Sequence, residues 1–146
     1  MQKIVTGLNE AGESTVVSRE AIDGVDVWEA AVTDAPEWIT GHGKLMDFEP
    51  EEGWVKCMAV TFPPAGEEKP ADDETATGLH KTRTIDVILV RDPMVLILEE
   101  GEFEIEAGDV VVQRGTMHDW RNPGDRPAQM LGFSYGVTNG GGTDGD

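Results

Sequence analysis

The sequence predicts an all-β domain, folded as a sandwich or a barrel. Short apolar or alternating segments recur along its 146 residues, separated by turn signals about every eight to twelve residues. No segment carries the apolar stripe of an amphipathic helix. Residues 85–90 present apolar side chains on both faces, which predicts a strand covered by the barrel interior on one side and by N-terminal strands or a partner subunit on the other.

The first fifty residues predict strands and a loop that pack on the barrel. Residues 2–6 and 14–20 are β-like runs around a turn-rich segment, which indicates an N-terminal hairpin. Residues 25–30 alternate apolar and polar side chains and predict a half-buried strand. Residues 31–50 are less regular and predict an extended loop or lid. His42, which lies there between two glycines, is more typical of an exposed loop residue than of a ligand.

Residues 51–136 carry the predicted barrel. Between its first two strands, residues 65–77 are rich in Glu, Asp, Lys and Pro and predict a solvated loop. Residues 137–146 contain mostly Gly and Asp, so we expect a disordered acidic tail. The strands of the barrel are expected at 53–62, 84–90, 94–100, 102–106, 109–114 and 127–135.

Composition restricts the compartment and the partners. The sequence contains no run of about 18 apolar residues, so we expect no membrane-spanning helix. The N-terminus lacks the apolar core of a signal peptide. Cys57 is the only cysteine, which excludes an intramolecular disulfide and favours a cytoplasmic setting. A formal charge of −18, from 29 acidic and 11 basic residues, repels nucleic-acid phosphates. We interpret this acidity as a source of solubility, with adaptation to high salt as the alternative.

Polar side chains cluster at both ends of the segment 78–122, which holds two of the three histidines. At its start, His80, Thr82, Thr84 and Asp86 are spaced by two, so a strand would carry all four on one face. Burying such a row is costly unless each polar group finds a partner. The row therefore favours a strand that binds something over one that only packs.

At the other end of the segment, polar and aromatic groups again follow at a spacing of two. Gly115 ends an apolar run, and His118, Trp120 and Asn122 come after it on one face. If the sheet closes on itself, the two ends of the segment meet at one interior point. The sequence therefore predicts one site built from two distant strands.

These residues resemble the two motifs of the cupin superfamily, specifically of its small single-domain members. The resemblance covers about residues 53–136 and implies a double-stranded β-helix, the jelly-roll barrel of two antiparallel sheets. It also implies a homodimer. The first motif is matched by identity only at His80, with Thr82, Asp86 and Pro93 replacing its histidine, glutamate and glycine. The second motif is matched by Gly108, Asp109, Gly115, His118 and Asn122.

The cupin resemblance also implies a divalent metal, held in the family by three histidines and a glutamate. Carried over to this chain, the ligand set becomes His80, Asp86 and His118, with iron, manganese, nickel or zinc as candidate ions. Two histidines and a carboxylate leave open positions for substrate or oxygen. The alternative is a metal-free pocket with hydrogen-bonded histidines. Asp86 would then orient a histidine, pair with Thr84, or act as a general base.

Further side chains are candidates for a substrate pocket. Trp54 and Trp120 could form apolar walls, although core packing is the commoner role for each. Thr82 and Thr84 could face the substrate or be ordinary strand residues, and Arg114 could attract an anion.

The sequence and the resemblance together predict a small-molecule-binding cupin. They favour a metal-dependent oxygenase, isomerase, dehydratase or decarboxylase, with His80 and Asp86 as catalytic candidates. The alternative is a non-catalytic cupin that binds or senses a small ligand without metal.

Overall fold

In the computed structural model, residues 1–39, 48–67 and 78–138 are described. They form strands and no helix, and so contain no helix long and apolar enough to cross a membrane. The predicted lid around His42, most of the acidic loop and most of the tail lie outside these residues. The strands are β1 (Gln2–Leu8), β2 (Ser14–Ala21), β3 (Val55–Phe62), β4 (Thr84–Val90), β5 (Met94–Leu98), β6 (Glu102–Ile105), β7 (Val110–Arg114), β8 (His118–Arg121) and β9 (Ala128–Gly136).

The strands build two sheets, which confirms the predicted all-β class and its jelly-roll architecture. The larger sheet has six strands in the order β2-β1-β7-β4-β9-β3, and the smaller has the order β6-β5-β8. One detail of the prediction was wrong, since the larger sheet is not antiparallel throughout. β1 runs parallel to β7, with Ile4 opposite Val111. The reason is that the N-terminal hairpin joins the free edge of β7 instead of forming a separate layer.

The predicted N-terminal hairpin is confirmed. β1 and β2 pair antiparallel, with a shift of register between Val5 and Thr6. The sequence predicted that residues 1–50 pack on a barrel formed by residues 51–136. Instead, β1 and β2 belong to the same sheet as the barrel strands β3, β4, β7 and β9. The Thr6 hydroxyl lies 2.9 Å from the Thr116 hydroxyl, which ties β1 to the turn before β8.

The strand predicted at residues 25–30 is wrong, because this segment pairs with no strand in the described part of the chain. It lies along the outer face of the larger sheet, where it and Ile85, Val87, Phe133 and Tyr135 enclose a groove. The burial of the segment does not follow its alternating sequence, because Val25 is 92% exposed while the adjacent Val27 and Trp28 are both half-buried. This cover also explains in part why β4 is apolar on both faces.

The main core fills the space between the two sheets. Ile4, Ile88, Val90 and Val111 come from the larger sheet and meet Met94, Leu96 and Ile105 from the smaller one. A second cluster lies on the other side of the larger sheet and includes Ile85, Val112, Trp28 and Trp38. Each fully buried aliphatic side chain contributes roughly 1.5–3 kcal/mol through removal from water.

Gly136 is predicted to be the least replaceable glycine of β9. A Cβ atom at this position would collide with the backbone carbonyl of Glu51, which cannot rotate away. We expect Gly136→Ala to lower the free energy of unfolding by about 3 kcal/mol in urea denaturation. Gly132→Ala on the same strand is the control, because its nearest contact would be Ile88 Cγ1 at 3.7 Å. Equal stability of the two variants would contradict the prediction.

Candidate functional site

The structure brings His80 and His118 together at one end of the space between the sheets. Their backbones exchange two hydrogen bonds, from His80 N to His118 O at 3.0 Å and from His118 N to His80 O at 2.8 Å. Their ring centroids are 4.5 Å apart at an interplanar angle of 63°. The two residues that sequence spacing placed on distant strands are therefore direct neighbours.

Both imidazoles are oriented by backbone carbonyls. His80 Nδ1 lies 3.0 Å from Gly78 O, and His118 Nδ1 lies 2.7 Å from Thr116 O. Because a carbonyl only accepts, each Nδ1 carries the proton, and in the neutral ring Nε2 is left as an acceptor. Burial lowers the pKa of His118 to about 4, with repulsion from His80 acting in the same direction and the Thr116 hydrogen bond opposing them. His118 is therefore a neutral base at pH 7.

Asp86 points into the barrel, where three donors hold its carboxylate. Ser134 Oγ donates to Oδ1 at 2.6 Å, Thr84 Oγ1 donates to the same oxygen at 2.8 Å, and Gln113 Nε2 donates to Oδ2 at 3.2 Å. Shielding from water raises the pKa of Asp86 above 3.8; the hydrogen bonds from Ser134, Thr84 and Gln113 oppose the rise, and the nearby charge of Glu49 adds to it. A carboxyl poised in this way can both accept and return a proton.

Thr82 and Thr84 extend the polar row that the spacing of two predicted. Their hydroxyl oxygens are 2.7 Å apart, and the Thr84 hydroxyl is donated to Asp86. The Thr84 oxygen must therefore accept from Thr82, which gives a directed chain of hydroxyls ending at the carboxylate. Both threonines are buried, so the chain is internal to the barrel.

Gln113 and Ser134 are site residues that sequence reasoning missed. Register places both directly opposite Asp86, Gln113 on β7 and Ser134 on β9. Each is a buried polar residue among the mostly apolar inward positions of its strand. A polar residue in such a run was the signal in the sequence that could have identified them. Strand register could not be read from the chain alone. The Gln113 side-chain oxygen is buried with no hydrogen-bond partner among the described residues.

A cavity of about 80 Å³ opens beside Asp86. Its polar walls are Thr82, Asp86, His118 and Ser134, and no lysine or arginine lines it among the described residues. The remaining walls are apolar, namely Phe48, Met58, Val60, Ile88, Met130, Gly132 and Phe133. A wider surface groove of about 580 Å³ around residues 122–129 includes Asn122 of the second polar row, but none of the predicted catalytic, metal-binding or pocket residues.

Three predicted pocket residues lie away from this cavity. Trp54 is 69% exposed in the turn before β3. Trp120 packs against the main core. Arg114 is on the outer side of the sheet, where its guanidinium lies 5.1 Å from the centre of the Trp38 ring. His80 touches the site through His118 and is not part of the cavity wall.

The described residues do not fit the four-ligand metal site that the resemblance implies. They contain no group of three or more His, Cys, Asp or Glu side chains placed to hold a metal ion. Thr82, at the position of the second histidine, uses its hydroxyl in the chain to Thr84. The Asp86 carboxylate is already occupied by three donors. Of the predicted set, only the two imidazoles are free to turn Nε2 towards an ion.

Comparison with known proteins gives relatives named for biosynthetic clusters. No family model matches the chain. It is 50% identical to "Phomopsin biosynthesis cluster protein D" of Diaporthe leptostromiformis over 97 residues, which cover 63% of this chain and 50% of that protein. It is 46% identical to "Oryzines biosynthesis cluster protein J" of Aspergillus oryzae over 46 residues, which cover 30% of this chain and 26% of that protein. The chain thus spans half or less of the length of these curated relatives.

Among solved structures, the chain is similar to a cupin domain from Bordetella pertussis. The likeness has a TM-score of 0.41 and 23% sequence identity, and it covers 64% of this chain and 90% of that chain. These values describe a partial likeness of fold and carry nothing about ligand or reaction.

Proposed function

We propose that this protein binds a small organic molecule in the cavity beside Asp86 and transfers a proton on it, as an isomerase or a dehydratase does. The observation that carries the proposal is the Asp86 carboxyl, which faces a partly apolar cavity and has a raised pKa. Asp86 would remove a proton from the bound molecule and return it at another atom. Neutral His118 lies on the same cavity wall, and its Nε2 would accept a hydrogen bond from a hydroxyl or ammonium group of the bound molecule.

The charge of the cavity favours a neutral or cationic substrate. Its described walls carry the Asp86 carboxyl and no lysine or arginine, and His118 is uncharged at pH 7. The chain as a whole carries a formal charge of −18, which lowers the local concentration of anions. Arg114, which the sequence offered as an anchor for an anion, lies on the outer side.

The apolar walls favour a compact aliphatic or small aromatic group. Phe48 and Phe133 supply ring surface, and Met58 and Met130 supply thioethers that adapt to irregular shapes. The names of the relatives support a place in the biosynthesis of a natural product, since those proteins are named for clusters that make phomopsin and oryzines. No step of this proposal passes through a metal ion.

A matched set of small ligands tests the proposal. Isobutylamine, isobutanol and isobutyrate share a branched carbon skeleton and differ in charge. We expect the amine and the alcohol to shift the NMR signals of the His118 ring and the Met130 methyl group, and isobutyrate to leave them unchanged. Because the ligand contacts are to protein groups alone, the shifts should persist after dialysis against a metal chelator.

Gly132→Ala is the matched variant for this experiment. It adds one methyl group to the cavity wall, and its nearest neighbour would be Ile88 Cγ1 at an ordinary 3.7 Å. We expect it to weaken ligand binding by about tenfold, equivalent to about 1.4 kcal/mol, at nearly unchanged stability. Absence of binding by all three compounds would contradict the proposal. Binding lost on chelation and restored by one metal would instead support the metal-dependent enzyme.

A non-catalytic binding protein is the second candidate. Three donors already surround the Asp86 carboxylate, an arrangement that also serves to hold a strand interior together. In that case ligands bind but no proton is exchanged. Exchange of solvent deuterium into isobutyraldehyde, the neutral carbonyl compound with the same carbon skeleton, distinguishes the two, because an acid–base catalyst accelerates exchange at the carbon next to the carbonyl group and a binder does not.

A further inference from the structure

The outer face of the larger sheet carries a groove that the proposed function does not use. Residues 25–32 line one side of it, and residues of β4, of β9 and of the chain just after β9 line the other. Its volume is about 420 Å³, whereas the cavity beside Asp86 has about 80 Å³. Sites for small molecules commonly measure roughly 300–1,000 Å³, so this groove has the size of a ligand site. We call it the outer groove.

The outer groove is lined mainly by apolar and aromatic side chains. Ile85 is buried there as part of the second core cluster. Trp28, Phe133 and Tyr135 supply three aromatic rings. Phe133 nevertheless remains 40% exposed, and Val25 is exposed almost completely. Apolar side chains that stay exposed around a concave surface are typical of a binding site, because a ligand removes them from water.

The charge on the outer groove is negative. Asp26 and Glu29 both line it and are exposed, and no lysine or arginine lines it among the described residues. Carboxylates attract a protonated amine, and the faces of aromatic rings attract a cation as well. The same carboxylates repel an anion, and the formal charge of −18 on the chain acts in the same direction. The groove therefore favours a ligand that joins an apolar body to a positive charge.

The outer groove and the cavity beside Asp86 lie on opposite faces of the same strands. On β4, Ile85 and Val87 line the groove, whereas Asp86 and Ile88 line the cavity. Phe133 of β9 is the one described residue that borders both. A molecule in the groove therefore needs no contact with Asp86, and a site there is independent of the proposed function.

We propose that the outer groove binds a small aromatic amine that is protonated at pH 7. Its ring packs among Trp28, Phe133 and Tyr135, and its ammonium group lies beside Asp26 and Glu29. The ring contacts supply most of the affinity, since they remove apolar surface from water on both partners. The carboxylates are exposed, so their attraction for the ammonium group is moderate and acts chiefly on specificity.

Three probes with one carbon skeleton test the site, namely phenethylamine, phenethyl alcohol and phenylacetate. The reporter is the NMR signal of the Trp28 indole N–H, which is buried without a hydrogen-bond partner among the described residues. We expect phenethylamine to shift this signal in a saturable way. Phenethyl alcohol should bind about tenfold more weakly, and phenylacetate should leave the signal unchanged. The His118 ring and the Met130 methyl group report separately on the cavity.

Two double variants separate the groove from the general field of the chain. Asp26→Asn combined with Glu29→Gln removes both charges of the groove and leaves its rings in place. We expect it to lower the affinity for phenethylamine about tenfold, to that of phenethyl alcohol. The control is Glu10→Gln combined with Glu13→Gln, which removes the same charge from exposed positions between β1 and β2. It should leave the affinity for phenethylamine nearly unchanged.

Three results would overturn the site in the outer groove. Phenethylamine that shifts the His118 and Met130 signals but not the Trp28 signal would be bound in the cavity instead. Phenethyl alcohol that binds as tightly as the amine would show that the carboxylates do not select a cation. Equal weakening by the two double variants would assign the preference for the amine to the overall acidity. Failure of the isobutyl ligands would bear on the cavity alone, because those ligands are followed there.

Discussion

Replacing Asp86 with asparagine is expected to reduce proton exchange into a bound ligand by about two to four orders of magnitude. The asparagine side chain has the same shape and can still accept from Ser134 and Thr84, whose hydroxyls donate to Oδ1 of Asp86. It cannot take up a proton at neutral pH. Exchange of solvent deuterium into the carbon next to the carbonyl group of isobutyraldehyde gives the measurement, and unchanged binding of isobutanol shows that the cavity is intact.

A substrate-free measurement accompanies this prediction. Because burial raises the pKa of Asp86 in the folded protein, the folded state retains a proton that the unfolded chain has lost just above pH 3.8. The contribution of Asp86 to stability therefore falls as the pH rises from the unfolded pKa to the folded pKa, and is constant beyond it. Asp86→Asn should lack this fall and gain stability relative to wild type across that interval. A stability difference between Asp86→Asn and wild type that does not change with pH would show that the pKa of Asp86 is not raised in the folded protein.

The second large effect is expected at His118. Its pKa is lowered to about 4 in the folded protein, so between about pH 4 and 6.5 the unfolded chain binds a proton that the folded chain does not. Stability contributed by the neutral ring is fully present above about pH 6.5 and is lost as the pH falls to about 4, a change of about 3 kcal/mol. Urea unfolding of wild type and His118→Asn at several pH values measures the difference.

The control for His118 is direct titration of its ring in the wild-type protein by NMR. A pKa near 6.5 would contradict the prediction even if His118→Asn fails to fold. Asp86 and His118 act in opposite directions over part of the same interval, so each variant must be compared with wild type at every pH. The pH dependence also separates a lost ionisation effect from a loss of packing, because a loss of packing lowers stability by the same amount at every pH.

The fold was predictable because its signals are local. Short β-like runs at β1 and β2, the apolar run at β4 and the turn signals between the runs specified these strands. The segment 25–30 shows the limit of this reasoning, because its sequence alternates although it pairs with no strand among the described residues and its burial does not alternate. A local pattern therefore does not say whether the backbone of a segment has a partner strand.

The site was predictable only in part, because it depends on register. The row Thr82, Thr84 and Asp86 follows from spacing along one strand, and the structure places it in the interior. Gln113 and Ser134 reach the same carboxylate from two other strands, and no local pattern says which residues stand opposite Asp86. Arg114 shows the same limit, since its neighbour Gln113 faces the interior and Arg114 lies over Trp38.

The parallel pairing of β1 with β7 has a consequence for how the protein reaches its native state. Residues 3–5 pair with residues 110–112. During synthesis, β1 therefore cannot pair with β7 until more than a hundred further residues have been added. Closing so long a loop is entropically costly, and sheets joined by such distant segments assemble slowly. Until then the edge of β1 that later pairs with β7 has unpaired backbone groups, and such an edge makes a folding intermediate prone to aggregation.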